Sequence, residues 1–234
     1  MPTATWWNLD GDKRARIVDA AIAEFGRRGF SAGSLNVVAR EAGVAKGSLF
    51  QYFDDKLDLF ASVCDACSRR IRDEMGIVMA RRAGEHAELF PFLRAVLVDW
   101  VRYFEEHPDD RALTFAVNLE IDPEARRAVR AVTNAHYRDV LEELVSAAQA
   151  RGELRPGASR DHLVAMLLLL LPHLALAPAS PELDPVLELH RREGLDLEAA
   201  VTGFVDVLEA AFAVPAPPSA ASDPHPSPTR GART

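Results

Sequence analysis

One short stretch of the chain carries side chains suited to binding nucleic acid. Lys46 and Ser48 supply a cation and a hydroxyl for phosphate oxygens, and Gln51 supplies an amide for base edges. Gln51 is the best candidate for base readout because its amide can pair with adenine. The predicted DNA-contacting side chains in and around this stretch are those of Ser34, Asn36, Lys46, Ser48, Gln51, Tyr52 and Lys56.

Three short helices are predicted to position these side chains. Apolar residues recur at helical spacing before Gly29, which predicts a first amphipathic helix that Asp12 caps. Ser34 stands at an N-cap position, so a second helix is expected from there to Gly43. A third helix follows at once and buries Val44, Leu49 and Phe53. Two short helices with a glycine between them form a helix-turn-helix.

The stretch resembles the DNA-binding head of the TetR family of bacterial transcriptional regulators. The matching residues are Ala20-Ala21, Phe25, Gly29-Phe30, Ala39, Ala42-Gly43-Val44, Gly47-Ser48-Leu49, Tyr52-Phe53 and Lys56. Gly33 and Phe50 depart from the pattern, since the family usually has a hydroxyl residue at the first position and tyrosine at the second. The resemblance implies an all-α homodimer in which a connecting helix transmits a ligand signal to two heads on a palindromic operator.

Composition and charge agree with an all-α regulator. The chain has 234 residues, 48% of them hydrophobic, and Ala, Leu, Glu and Arg dominate. Residues 1–60 carry eight basic and eight acidic side chains, so the net charge of −8 lies in the remainder. An acidic body would repel DNA and leave the head as the contact surface. The few cysteines and the lack of a signal-peptide pattern predict a cytoplasmic protein.

Two features of the sequence leave two interpretations each. Cys64 and Cys67 have the spacing of a redox or zinc half-site, but buried core thiols are the favoured interpretation. Trp6 and Trp7 either pack onto the head or reach a DNA minor groove. Packing is favoured because minor-groove arms rely on Arg or Lys, and none precedes Lys13.

The remaining helical pattern predicts a ligand-binding and dimerisation body. The predicted domains are an arm (1–12), the head (13–58), the body (59–213) and a disordered tail (214–234). The body combines large aromatics with a few polar residues, which suits a mostly apolar pocket. Its predicted lining is Trp100, Tyr103, Phe104, Phe115, Asn118, His136 and Tyr137. For His136 a satisfied core histidine is the competing interpretation.

The last two long helices have broad apolar faces, which suggests a four-helix interface between two copies. Its predicted residues are Leu163, Leu167, Leu170, Val201, Phe204 and Leu208. No membrane span is expected, because Pro172 and His173 interrupt the most apolar run.

The predicted function is a DNA-binding transcriptional regulator, a repressor released from operator DNA by a hydrophobic or amphipathic small molecule. The alternative is a helical small-molecule-binding adaptor that no longer binds DNA. No metal or cofactor is expected. An enzyme is disfavoured, since the sequence shows no Gly-rich phosphate loop, nucleophile elbow or metal-binding helix signature.

Overall fold

The computed structural model describes residues 2–215, in which all regular structure is helical. The helices are α1 (Ala4–Trp7), α2 (Gly11–Ala32), α3 (Leu35–Glu41), α4 (Lys46–Tyr52), α5 (Lys56–Glu85), α6 (Leu89–Glu106), α7 (Pro108–Asn118), α8 (Pro123–Ala150), α9 (Arg160–Leu176) and α10 (Gly194–Phe212). Short 3-10 turns at Ala177–Ala179 and Leu189–Arg191 lie between α9 and α10. The predicted all-α fold, with a helix-turn-helix head and a larger helical body, is confirmed.

The head packs around the apolar side chains that its sequence pattern singles out. Ile17 and Phe25 of α2, Leu49 of α4 and Phe60 of α5 are fully buried, and the Phe25 and Phe60 rings meet edge to face at 5.0 Å. In the body, α8 packs between α5 and α9, and α10 packs on α6. Helix α7 packs along α2 and therefore joins the body to the head.

Helix α2 is broken where the sequence predicts its end. Gly29 has φ +68° and ψ 179°, a conformation that side chains rarely allow, and a last short turn follows it. Gly33 is required for a different reason. A Cβ at this position would lie 2.6 Å from the Phe25 ring and 2.8 Å from the carbonyl oxygen of Gly29. The missing hydroxyl residue before α3 is thus a consequence of close packing.

Several predicted helix boundaries shift by a few residues. Asp10, not Asp12, caps α2 by accepting from the Lys13 N–H, and Ser159 caps α9 by accepting from the His162 N–H. Asp55 caps α5, and Asp122 caps α8 with Pro123 in its first turn, as the sequence indicates. The proposed boundary between residues 58 and 59 falls inside α5, so one helix belongs to both head and body.

Helix α9 continues through Pro172, although this proline and His173 interrupt the most apolar run of the sequence. The proline lacks the N–H that would bond to the Leu168 carbonyl, yet packing against α6, α7 and α8 keeps the helix intact. As a result Arg160–Ala179 is, by length and composition alone, sufficient to cross a membrane. The expectation that no such segment exists is therefore wrong, although 39% of its most apolar window is buried in the molecule.

The predicted disordered tail lies outside the described residues, apart from its first two. Val214 is one of these two, and its N–H donates to the carbonyl of Glu153. This bond adjoins an isolated bridge between Leu154 and Ala213, so the end of α10 is joined to the loop that follows α8.

Candidate nucleic-acid interface and effector cavities

Helix α4 presents a polar, exposed face beside its buried one. Lys46 and Gln51 are exposed and Ser48 is half-buried, whereas Leu49 and Phe53 pack into the head. Phe50 is 50% exposed, so its ring lies on the surface that the polar residues share. Ser34 precedes α3 without making a side-chain cap, and Asn36, two residues later, is exposed. This surface offers both phosphate-binding and base-reading groups.

Tyr52 does not belong to this exposed face, and its predicted outward placement is wrong. The side chain is only 4% exposed because α1 folds over the end of α4. The Trp6 ring lies 6.0 Å from the Tyr52 ring, and the Thr3 N–H donates to the Tyr52 carbonyl at 2.9 Å. The arm therefore packs on the head through buried Trp6, while Trp7 remains 59% exposed.

Lys56 is held by the head itself. Its Nζ donates to the Ser31 carbonyl at 3.0 Å and lies 4.8 Å from the centre of the Phe30 ring. Burial lowers the pKa of this ammonium, and the nearby carboxylates of Glu120 and Glu24 partly offset the effect. The side chain is half-buried, so an ammonium that bound phosphate would also remain in contact with the Ser31 carbonyl and the Phe30 ring.

Two cavities lie in the body, one behind the other along α5, α6, α8 and α9. The distal cavity has a volume of about 620 Å³ and is lined mostly by apolar side chains of the four helices, among them Met75, Leu93, Leu97, Leu141 and Leu167. The proximal cavity, nearer α7, has about 70 Å³ of free space and a more polar lining. Trp100, Tyr137 and Leu171 line both cavities and divide them.

Four of the predicted ligand-binding residues line these cavities. Trp100 and Tyr137 lie between the two, with their rings perpendicular at 5.7 Å, and Phe104 and Asn118 face the proximal one. The Trp100 Nε1–H donates to the Leu171 carbonyl at 2.8 Å, which fixes the indole across the division. The aromatic pattern of α6 therefore located the cavities correctly.

Tyr103, Phe115 and His136 are absent from the lining of both cavities. The Tyr103 hydroxyl donates to buried Asp110 at 2.5 Å, and Asp110 also pairs with Arg70. Phe115 is half-buried against the core. Tyr103 and Phe115 were predicted to line the pocket as large aromatics, and His136 as a polar residue beside an apolar stripe, but all three side chains contact other groups.

His136 is a bridge between α8 and α5. Its Nε2 lies 2.9 Å from an Asp65 oxygen, and its Nδ1 lies 3.3 Å from an Arg72 guanidinium nitrogen. Burial acts to raise the pKa of Asp65, but hydrogen bonds from His136 and Arg69 outweigh it and leave the pKa lowered. The competing interpretation, a satisfied histidine, is the one that the structure favours.

Cys64 and Cys67 are buried free thiols in α5. Burial raises the pKa of both, and the carboxylate of Asp110 raises that of Cys67 further. A thiolate is the reactive form, so these surroundings favour core packing over thiol sensing.

Arg130 and Thr114 line the proximal cavity but were missed in the sequence. The position of Arg130 could have been recognised from the helical spacing of the residues on one face of α8. Along α8 the lining residues are Arg130, Thr133, Asn134, Tyr137, Val140, Leu141 and Leu144, which lie on one face at helical spacing. The face was overlooked because its first half is polar.

Most of the predicted dimer residues are buried within the single chain. Leu163, Leu167 and Val201 are each at most 1% exposed, so they belong to its own core and their assignment to an intermolecular surface is wrong. Leu208 is 3% exposed and lies at the wall of a surface groove. Leu170 and Phe204 are half-buried and line an apolar surface groove of about 610 Å³ between α9 and α10. Met166 and Val207 lie in the same groove and are 42% and 66% exposed.

A buried carboxylate of the body reaches the break in α2. Glu120, in the turn between α7 and α8, is 7% exposed. One of its oxygens accepts from the Phe30 N–H at 3.1 Å, and the other accepts from the Asp122 N–H at 2.9 Å. Close packing supports this contact, because a Cβ at Gly26 would lie 3.0 Å from the Cβ of Ala112. The α7 end of the body is thus bonded directly to the head.

A helix-turn-helix head on a helical body with internal cavities defines a class of DNA-binding regulator. Residues 17–63 match the family described as bacterial regulatory proteins, tetR family. The predicted resemblance to the TetR family of transcriptional regulators is confirmed.

Relatives match the chain to different extents. The fatty acid metabolism regulator protein of Bacillus subtilis is 22% identical over 148 residues, which cover 62% of this chain and 72% of that protein. The regulator AcrR of Shigella flexneri is 35% identical over 60 residues, which cover 26% of this chain and 28% of AcrR. The structure of the regulator FadR from Bacillus subtilis in complex with stearoyl-CoA is 19% identical, with a TM-score of 0.59, and covers 84% of this chain and 98% of that one.

Proposed function

We propose that the protein is a cytoplasmic, homodimeric repressor that leaves a palindromic operator when a hydrophobic or amphipathic small molecule binds its body. The observation that carries the ligand-responsive part is the distal cavity, whose volume of about 620 Å³ and apolar lining are typical of small-molecule sites. The relatives that regulate fatty acid metabolism and bind stearoyl-CoA support a ligand of this chemistry.

DNA binding is assigned to the exposed face of α4 and the start of α3. Two heads related by a two-fold axis would present their α4 helices to successive major grooves, so the half-sites are expected about one DNA turn or slightly more apart. Lys46 would bind phosphate and Gln51 would read a base. Lys56 remains a proposed phosphate contact, although part of its bonding is already used within the head.

Selection of genomic fragments by the full-length protein, followed by gel shifts at several salt concentrations, tests the DNA-binding proposal. We expect a palindromic site whose affinity falls steeply with salt because phosphate contacts release counterions. Retention of no fragment at low salt would instead favour the helical adaptor. If hydrophobic ligands raise the melting temperature but leave operator binding unchanged, the regulatory part is wrong.

Coupling between cavity and head is proposed to pass through α7 as well as α5. Thr114, Val117 and Asn118 of α7 line the proximal cavity, and Glu120 lies in the turn that directly follows this helix. A ligand that shifts α7 would therefore move the carboxylate that holds the Phe30 N–H. Differential affinity of the ligand for the two positions of α7 is all that this mechanism requires.

The Glu120→Ala variant tests this route, with Glu124→Ala, an exposed residue at the start of α8, as the control. Coupling is measured as the ratio of ligand affinities with and without operator. By linkage this ratio equals the ratio of operator affinities with and without ligand. We expect Glu120→Ala to move that ratio toward one and Glu124→Ala to leave it unchanged. A ratio equal to that of the wild type in both variants would exclude Glu120 from the route.

A further inference from the structure

The lining of the two cavities changes from polar to apolar along α8. On α8, Arg130 and Asn134 face the proximal cavity, whereas Val140 and Leu144 face the distal one. At the distal cavity α5 adds Met75 and Met79, together with Arg72 and Asp73, whose charges pair with each other. A ligand that occupied both cavities would thus meet polar groups at one end and apolar groups at the other.

Arg130 differs from Arg70 and Arg82 because no group in the described part of the chain pairs with its guanidinium. Arg70 pairs with buried Asp110, and Arg82 donates to both oxygens of Asp99. The half-buried guanidinium of Arg130 makes neither an ion pair nor a hydrogen bond with any group in residues 2–215. A cation partly removed from water without a counter-charge favours binding of an anion.

The polar side chains around Arg130 supply hydrogen bonds of the kind that an anionic oxygen accepts. Asn134 lies one turn along α8, and Thr114 and Asn118 approach from α7. The Asn118 Nδ2 already donates to the Thr114 carbonyl at 2.8 Å, which fixes this amide at the cavity wall. The available space of about 70 Å³ suits a group as small as a carboxylate and is too small for a nucleotide.

We propose that the effector is an aliphatic carboxylate whose head pairs with Arg130 in the proximal cavity and whose chain occupies the distal cavity. The inference rests on the proposed ligand-responsive function and narrows its ligand to one chemical class. The chain would pass the rings of Trp100 and Tyr137, which divide the cavities. A nucleotide-linked acyl thioester is disfavoured, because its bulky head would have to remain outside the proximal cavity.

Four probes with the same hydrocarbon tail separate the contributions of charge and head size. They are dodecanoate, 1-dodecanol, dodecyltrimethylammonium and dodecanoyl-CoA, each titrated into the full-length protein below its aggregation concentration. Hydrogen bonds to a charged group correspond to about a ten- to hundredfold change in affinity. We therefore expect dodecanoate to bind at least tenfold more tightly than 1-dodecanol, and the other two probes to bind no better than the alcohol.

Arg130→Met removes the charge and keeps a side chain of moderate length. We expect it to abolish the preference for dodecanoate while binding of 1-dodecanol stays within about twofold. Arg127→Met is the matched control, since Arg127 is an exposed arginine on the same helix and is absent from both cavity linings. It should behave as the wild type does.

Equal affinities of the wild-type protein for dodecanoate and 1-dodecanol would overturn the proposal, and this comparison needs no variant. Tighter binding of dodecanoyl-CoA than of dodecanoate would overturn it as well. These binding measurements do not involve DNA. A protein that retains operator DNA but shows no acid preference fails only this inference, whereas one that prefers the acid but binds no DNA fails only the repressor assignment.

Discussion

Gln51 is the exposed amide best placed on α4 to read a base. Its side chain is exposed, while its backbone carbonyl accepts from the Thr3 hydroxyl at 2.7 Å. Gln51→Ala is therefore expected to remove a base contact without disturbing the arm. A good bidentate contact contributes roughly 1–3 kcal/mol of discrimination, so preference at one operator position should weaken by about ten- to hundredfold.

Lys46→Ala is the comparison for Gln51→Ala in a gel-shift series over operator variants. Loss of a phosphate contact should weaken binding to all operator variants about equally and make the affinity depend less steeply on salt. If Gln51→Ala left both affinity and sequence preference unchanged, the base-reading assignment would be wrong.

His136 contributes to stability rather than to the cavities. His136→Ala removes its contacts with Asp65 and Arg72 and leaves a half-buried carboxylate with fewer partners. We expect a loss of roughly 1–3 kcal/mol in the free energy of unfolding, measured by urea denaturation. The melting-temperature shift produced by dodecanoate should remain as large as in the wild type. A diminished ligand shift would return His136 to the binding site.

At the scale of helices, α9 and α10 each have one face inside the chain and one face outside. Leu167 and Val201 lie on the inner faces, whereas Met166 and Val207 lie in the outer groove. We propose that a second copy covers this groove, with the pair of helices from each chain forming a four-helix interface. In this proposal Leu170 and Phe204 still belong to the interface, as the sequence predicts. Leu163 and Leu167 belong to the core of the single chain.

The double substitution Met166→Glu and Val207→Glu tests that interface. Burying like charges across a two-fold axis costs on the order of several kcal/mol, so light scattering should show a monomer. Ile121→Glu is the control, because Ile121 is 80% exposed in the turn after α7 and lies outside the groove. A double variant that stays dimeric, with its helical content intact, would move the interface elsewhere.

At the scale of the whole molecule, buried carboxylates make folding sensitive to acid. Asp99 is 9% exposed and accepts from the Arg82 Nε at 2.7 Å. Burial acts to raise the pKa of Asp99, but the hydrogen bond and charge of Arg82 outweigh it, so the pKa is lowered. Burial opposes the lowering at Asp184 as well, where backbone N–H groups, that of Leu187 foremost, lower the pKa.

The sign of the resulting pH dependence follows from linkage. A carboxylate with a lowered pKa in the folded state stabilises the protein fully above its unfolded value, about 4. This stabilisation is lost as the pH falls through the folded pKa, because the unfolded chain binds the proton first. Urea unfolding should thus show little change from these groups above about pH 5 and a steep loss of stability below about pH 4.

Asp99→Asn should reduce both the stability near neutral pH and its loss in acid. Asp73→Asn is the matched control, because Asp73 pairs with Arg72 at the surface, where ion pairs contribute little. Identical acid profiles for Asp99→Asn and the wild-type protein would show that Asp99 is not one of the groups responsible.

The local features of this protein could be predicted from its sequence. The helix-turn-helix lies within residues 17–63, where glycine positions, capping residues and the spacing of apolar side chains are all set by neighbours along the chain. Aromatic residues at helical spacing likewise located the two cavities through Trp100 and Tyr137. Such signals need no knowledge of distant contacts.

Tertiary structure alone decided which way the side chains on those helices face and what they bind. Tyr52 is buried because Trp6 packs on it from the arm, and His136 is bonded to Asp65 on a helix far away in the chain. Leu167 is buried because neighbouring helices cover one of the two apolar faces of α9. The sequence alone does not distinguish these two faces. Arg130 stands out for a related reason: its lack of a partner is evident only once every neighbouring helix is in place.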